Sequence, residues 1–273
     1  MTYLTHVPGP PLSRFIDLLW LFDGRSQGNR KERVLPSGEM QIIVTLREES
    51  LRMYDRDNAD RYETIRGSLL SGAQSEYTII DAPLRNSLMG VHFRPGGAYP
   101  FFPLPAGELQ NTAVPLDALW GAQAETLRSR LLEARTPLEK FATLEQTLLK
   151  HLMQPAELHS AVAFALREFG ANPGSSTVSS VTERLGLSAN RFIEVFRDQI
   201  GLTPKVFCRI KRFQLALARI RAQEKVNWPA VALDCGYFDQ AHFIHDFRAF
   251  SGINPSTYIA HRTPHMNHVS LPD

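Results

Sequence analysis

One pattern occurs twice in this chain, 51 residues apart. "SANRFIEVFRDQIGLTPKVF" (188–207) lies over "DQAHFIHDFRAFSGINPSTY" (239–258). Phe192, Ile193, Phe196 and Arg197 meet Phe243, Ile244, Phe247 and Arg248. Gly201 and Pro204 then meet Gly252 and Pro255, and Phe207 meets Tyr258. Self-similarity at a fixed offset marks a repeated supersecondary unit. Two copies are too few for a solenoid, so the chain carries a duplicated motif.

Each copy reads as helix, turn, helix. "VSSVTERL" (178–185) and "PAVALDC" (229–235) predict the first helices. Asn227 suits an N-cap there, with Pro229 in the first turn. Gly186 and Gly236 mark the turns. Ser188 and Asp239 then cap the second helices, and Gly201 and Gly252 end them. Thr203-Pro204 and Asn254-Pro255 start the next helices with a cap followed by proline. A short glycine-containing turn between two helices is the helix-turn-helix form.

At about 100° per residue, the paired Phe residues of each second helix share one face. In the first copy the opposite face shows Asn190, Glu194 and Arg197, with Ile193 beside them. In the second it shows Ala241, His245 and Arg248, with Ile244 beside them. Gln240 and His242 sit in its first turn. Side chains of these types can bond base edges in a major groove. "CRIKRFQLALARIRAQ" (208–223) predicts a long helix joining the copies. Its Leu215, Leu217 and Ile220 are expected to pack, while Arg209, Lys211, Arg212 and Arg219 stay solvated.

Charge supports a polyanionic partner. The whole chain of 273 residues is only +2. Residues 173–262 carry 12 Lys+Arg against 7 Asp+Glu, leaving the remainder at −3. A basic third on an acidic body fits double-stranded DNA. Zinc at His242, His245 and Cys235 is the rival reading, but zinc needs three or four convergent ligands and no further pair completes the set. Catalysis needs a base beside a nucleophile in a pocket, and this helix face is convex. Plain solvated polarity would suffice for one helix; duplication and basic balance favour reading. No metal, no cofactor and no enzymatic activity are expected.

The rest of the chain reads differently. Two domains fit the length. "MQIIVTL" (40–46), "YTIIDAP" (77–83) and "LMGVHF" (88–93) predict strands, punctuated by Pro-Ser-Gly (36–38), Ser-Gly (71–72) and Pro-Gly-Gly (95–97). Phe15, Leu18, Leu19 and Phe22 recur at helical spacing and predict a short helix packed on the sheet. From Pro115 to about Leu152 the pattern is helical, and residues 156–169 predict another helix. "ANPGSST" (171–177) reads as a linker. The tail 263–273 has no periodicity and is expected to be frayed and flexible. No apolar run reaches membrane-spanning length and no signal peptide opens the chain, so a cytoplasmic protein without membrane contact is expected. Cys208 and Cys235 form no pair and are expected as buried free thiols.

"LGLSANRFIEVFRDQIGLTPKVF", "RIKRFQLA" and "VALDCGYFDQAHFIHDFRAFSGINPSTY" together resemble the DNA-binding domain of AraC/XylS-type transcriptional regulators. The resemblance implies two helix-turn-helix units joined by a long helix, with both recognition helices in successive major grooves about 34 Å apart. By position, it implies recognition helices at 189–199 and 240–250. Asn190, Glu194 and Arg197 are then candidate contacts in the first, and Gln240, Ala241, His242, His245 and Arg248 in the second. Glu194 and His245 stand where this family often has Arg or Lys. Glu194 can accept from cytosine N4 but repels phosphate. His245 is a cation only when protonated, so binding is expected to strengthen in acid.

"PGPPLSRFIDLLWLFDG", "RVLPSGEMQIIVTL" and "GVHFRPGGAYPFF" resemble the sensor-like domain in front of one subgroup of these regulators. That implies a small β-rich, cupin-like barrel followed by helices. Metal-binding cupin chemistry is not implied, because His6 and His92 are the only histidines before His151. Arg94 with Gly96 and Gly97 is a candidate ligand turn for an anion, although a structural turn needing φ > 0 explains the glycines equally.

The expected architecture is therefore α+β. Residues 1–155 form a β-rich sensor or dimerisation domain with a helical end, 156–172 a helix and linker, and 173–262 an all-α reader. The expected function is a sequence-specific transcriptional regulator, controlled by a small-molecule effector or a homodimer contact in the first domain. The alternatives are a ligand-independent DNA-binding protein whose first domain only dimerises, and an enzyme domain fused to a DNA reader.

Overall fold

The computed structural model describes residues 2–25, 30–47, 50–58, 60–82, 85–153, 157–171 and 178–271. The N-terminal half supplies β1 (Thr2–His6), β2 (Ile16–Arg25), β3 (Arg30–Val34), β4 (Gln41–Thr45), β5 (Leu51–Tyr54), β6 (Tyr62–Ile65), β7 (Ser68–Ser71), β8 (Thr78–Ala82), β9 (Arg85–Phe93) and β10 (Ala113–Pro115). Helices α1 (Asp117–Trp120), α2 (Ala122–Glu133) and α3 (Pro137–His151) follow. The C-terminal part holds α4 (Ser160–Ala171), α5 (Val178–Leu185), α6 (Ala189–Ile200), α7 (Pro204–Arg221), α8 (Trp228–Asp234), α9 (Gln240–Ser251) and α10 (Pro255–His261), and ends in β11 (His268–Ser270). The architecture is α+β, as expected.

The strands form two antiparallel sheets. One has six strands in the order β1-β2-β9-β4-β7-β10, the other five in the order β11-β3-β8-β5-β6. Ile16, Leu19, Leu21, Ile42, Val44, Leu70, Met89, Val91 and Phe93 fill the interior of the first sheet's domain. The segment predicted as a short helix on the sheet is instead β2, after a single 3-10 turn at Leu12–Arg14. The apolar spacing of Phe15 to Phe22 fits a helix face, but β2 lies between β1 and β9 and buries residues on both sides. Two-sided burial erases the period-2 signal that would have identified a strand.

Helix ends follow local chemistry. Thr136 and Glu139 form a capping box at α3. In the reader every expected cap forms. Ser188 Oγ accepts from Arg191 N (3.3 Å), Thr203 Oγ1 from Val206 N (3.4 Å), Asn227 Oδ1 from Ala230 N (3.2 Å), Asp239 Oδ1 from His242 N (2.7 Å) and Asn254 Oδ1 from Thr257 N (2.8 Å). The expected linker at 171–177 lies, apart from its first residue, outside the described residues.

The tail differs from its expectation. Residues 268–270 form β11, which adds to the free edge of β3 with His268 opposite Val34 and Ser270 opposite Glu32. Leu271 N–H donates to Lys31 O (3.0 Å) and Leu35 N–H to Asn267 O (2.8 Å). Val269 is buried, and His268 Nδ1 lies 2.9 Å from Glu32 Oε2. An unpaired sheet edge is a template for another strand, and a three-residue strand has too little pattern to announce itself.

The two halves share one continuous core. From α7, Lys211 Nζ reaches Glu39 Oε1 (2.8 Å) and Gln214 Nε2 donates to Pro36 O (2.7 Å). Gly252 ends α9 at φ +69°, and a Cβ there would lie 2.5 Å from the Tyr77 ring. Both the left-handed backbone and the close approach require glycine.

Val269→Ala is expected to cost about 2 kcal/mol through lost burial and cavity formation, read as a lowered midpoint in denaturant, with faster proteolysis after Arg262. Stability should also fall in acid. Burial holds His92, His151 and His265 below the usual histidine range. The unfolded chain therefore takes up protons that the folded chain refuses, and stability is lost as pH drops below about 6.5. The hydrogen bond from His268 lowers Glu32. Its contribution is present above the unfolded carboxylate range, about 4.3, and is lost below it. Thermal melts from pH 8 to 3 should show these two stages.

Candidate nucleic-acid interface

Two ring triads build the duplicated unit. Phe192, Phe196 and Phe207 pack with centroids 5.7 and 5.6 Å apart, and Phe243, Phe247 and Tyr258 with centroids 5.6 and 5.7 Å apart. The 51-residue sequence offset is thus repeated in space. Edge-on aromatic contacts of this kind orient as well as bury. The first triad pins the capped helix α6 to the scaffold helix α7, which at 18 residues spans about 27 Å; the second ties α9 to α10, and Phe213 of α7 packs on Phe247 (5.3 Å) and Phe250 (5.2 Å) of α9. Helix α4 packs on the first unit, with Phe169 against Phe196 (6.1 Å).

The second unit has an ionic anchor that sequence periodicity did not reveal. Asp246, 2% exposed, accepts from Arg209 Nη2 (2.7 Å) and Nε (3.4 Å), and Arg212 Nη2 lies 3.8 Å away. Arg212 also donates to Gly236 O (3.2 Å) and covers the Tyr237 ring. Arg209, Lys211 and Arg212, expected to stay solvated, are therefore half-buried and paired; Arg219 alone of that set is exposed. Their partners lie 24 to 172 residues away in sequence, beyond the reach of a helical wheel.

The outward faces are open. On α6, Asn190, Arg191, Ile193, Glu194 and Arg197 are exposed. Glu194 Oε2 pairs with Arg191 Nη1 at 2.7 Å, one turn apart on the surface. Such a pair contributes little stability, but it places a cation beside Glu194 and offsets its repulsion of phosphate. Arg191 was outside the expected contact set because its wheel position flanks that face. The stem of Arg197 lies against the 3-10 turn Ala106–Leu109, close enough that a Cβ on Gly107 would meet its Cγ at 2.8 Å. The far end of α6 therefore abuts the N-terminal domain.

On α9, Gln240, Ala241, His245 and Arg248 are exposed. His242 is half-buried. Its ring stands edge-on to Tyr237 (5.3 Å), and its Nδ1 accepts from Phe238 N–H (3.4 Å). It therefore also supports the turn, a role legible only from the contact.

At the candidate ligand turn the glycines are packed, while Arg94 is exposed and engaged locally. Arg94 Nε donates to Ser13 O (3.1 Å), and its Nη2 lies 3.6 Å from Asp17 Oδ1. Gly96 has φ +76°, and a Cβ there would meet Leu158 at 2.9 Å and Ile200 at 3.0 Å. This geometry accounts for the turn as a contact with α6 and the segment before α4, with no ligand required.

Burial pushes both Cys208 and Cys235 up to about 11, so neither is a thiolate at neutral pH. Among the described residues no group of three or more His, Cys, Asp or Glu could hold a metal ion, and no helix is long and apolar enough to cross a membrane.

Two helix-turn-helix units on one scaffold helix, each presenting a polar convex face, define a nucleic-acid-reading class of domain. Residues 181–261 match the model of the family described as "Helix-turn-helix domain", and residues 4–115 match a "Domain of unknown function (DUF6597)". The C-terminal unit is a helix-turn-helix domain of the AraC type. An "Uncharacterized HTH-type transcriptional regulator" of Haemophilus influenzae is 27% identical over 121 residues, covering 41% of this chain and 40% of its own. The "Probable transcriptional regulator LumQ" of Photobacterium leiognathi is 30% identical over 82 residues, covering 30% of this chain and 33% of its own. The matches thus span less than half the length of these relatives. The crystal structure of ToxT from Vibrio cholerae is similar over 89% of this chain and 97% of its own, at 10% identity and a TM-score of 0.49.

Asp246→Ala should leave Arg209 and Arg212 without their buried counter-charge and cost about 3 kcal/mol, read by chemical denaturation.

Proposed function

We propose that the protein is a sequence-specific transcriptional regulator that reads double-stranded DNA through α6 and α9. The observation that carries this is the spatial duplication: two capped helices with open polar faces, fixed to one scaffold helix. A rigid pair of readers suits successive major grooves on one side of a duplex. Arg191 and Arg219 and the N-termini of the helices position the domain on phosphates. Asn190, Glu194, Arg197, Gln240, Ala241, His242, His245 and Arg248 are the candidate base contacts. The two curated relatives carry names that point the same way.

The N-terminal domain controls how the reader is presented. Support for this comes from Arg197 against the Gly107 turn, the α7 contacts to residues 36–39, and β11 on the sheet edge. A small-molecule effector or a homodimer contact in that domain would act through this shared packing. The two thiols, Cys235 buried and Cys208 half-buried, both held protonated by desolvation, and the convex reading faces favour this over a fused enzyme.

The test is anisotropy titration of the full chain against duplexes selected from a random pool, across a salt series. Tight selective binding is expected, with log affinity falling linearly in log salt. Arg248→Ala should weaken the selected duplex about 5- to 100-fold, the range of one lost base-edge pair. Equal affinity for selected and random duplexes would sink the proposal.

A further inference from the structure

Phe238 is the most exposed large apolar side chain among the described residues, at 90% exposure. Its backbone is nonetheless held firmly. Tyr237 before it is buried at 2% exposure. Asp239 after it caps α9, and the Phe238 amide donates to His242 Nδ1. A rigid turn therefore holds an aromatic ring in solvent at the entrance of the second reading helix.

The duplication shows that the fold does not require this. The position 51 residues earlier is Leu187, which packs against the core. The same site in the first unit thus turns its apolar side chain inward, while the second turns its ring outward. Three residues beyond Phe238 stands Ala241, whose methyl is also exposed. An exposed ring and methyl at the N-terminal end of a reading helix meet base edges first when such a helix enters a major groove. The apolar feature a major groove offers is the 5-methyl group of thymine, and Phe and Ala are side chains that contact it.

We propose that Phe238, with Ala241 three residues further on, reads a thymine methyl in the half-site bound by α9. This deepens the DNA-reading assignment and rests on it. The remaining α9 candidates, Gln240, His245 and Arg248, supply polar contacts. Phe238 adds discrimination at one base pair through shape and apolar burial rather than hydrogen bonding.

The experiment uses the full chain and the selected duplex. Each thymine of the α9 half-site is replaced in turn by uracil, which removes only the methyl. One replacement, or two adjacent ones, should weaken the wild-type protein about fourfold per methyl, the factor expected for one buried methylene-sized group. Phe238→Ala should weaken the thymine duplex by at least that factor and bind the thymine and uracil duplexes equally. Phe238→Leu should keep part of the discrimination. Because the ring is in solvent, melting temperatures should be unchanged in both variants. Wild-type indifference to every uracil replacement would overturn the proposal while leaving the regulator assignment standing. So would unchanged DNA affinity in Phe238→Ala, which would instead assign the ring to a protein partner. Absence of any selected sequence would overturn the DNA-reading assignment itself.

Discussion

The carboxylate of Asp246, enclosed by Arg209 and Arg212, decides where the second reading helix stands. Removing two charges from water is costly, and mutual attraction offsets that only with good geometry. Here two guanidinium nitrogens reach the carboxylate, and Arg212 also holds Gly236 O and covers Tyr237. The position of α9 on α7 and the conformation of the turn before it are therefore coupled. In the first unit the equivalent position is Val195, which packs in the core. One reader is thus docked by apolar packing and a neutral hydrogen bond from His159 N to Gln199 Oε1 (2.9 Å), the other by packing and charge. That difference gives the second unit a defined orientation and leaves its outward face free for contacts.

The scaffold helix serves both halves of the molecule. One side of α7 carries Phe207 against α6 and Phe213 against α9; another carries Lys211 and Gln214 to the loop at 36–39. Part of the basic excess of the reader is thereby spent on internal structure. The free positive surface is therefore smaller than the net charge implies. With β11 closing the edge of β3, the N-terminal domain holds both the first reading helix and residues 268–270. Any change in that domain's packing has a short path to α6.

Much of the reader was legible because its signals are local. Caps, the glycines that end helices, proline in first turns and i,i+4 aromatic pairs act within five residues, and the repeat confirmed each by its copy. The sheet domain was less legible. Strands β4, β8 and β9 stood out as branched runs, but β2 did not, since burial on both faces gave it an irregular apolar spacing. The Arg94 turn looked like an anion site because arginine beside paired glycines has that composition. Its partners, Ser13, Asp17, Leu158 and Ile200, come from distant segments.

The sequence by itself determined that the C-terminal third is a twice-built helix-turn-helix on one long helix, because backbone capping and periodicity are short-range effects. Only the tertiary structure decided which charges remain free, which glycines mark contacts between the halves, and that residues 268–270 form a strand. Each of those depends on a partner brought close by folding: Glu39 to Lys211, Tyr77 to Gly252, the edge of β3 to β11. The exposure of Phe238 belongs to the same class, since its counterpart Leu187 has the same apolar character and the opposite fate.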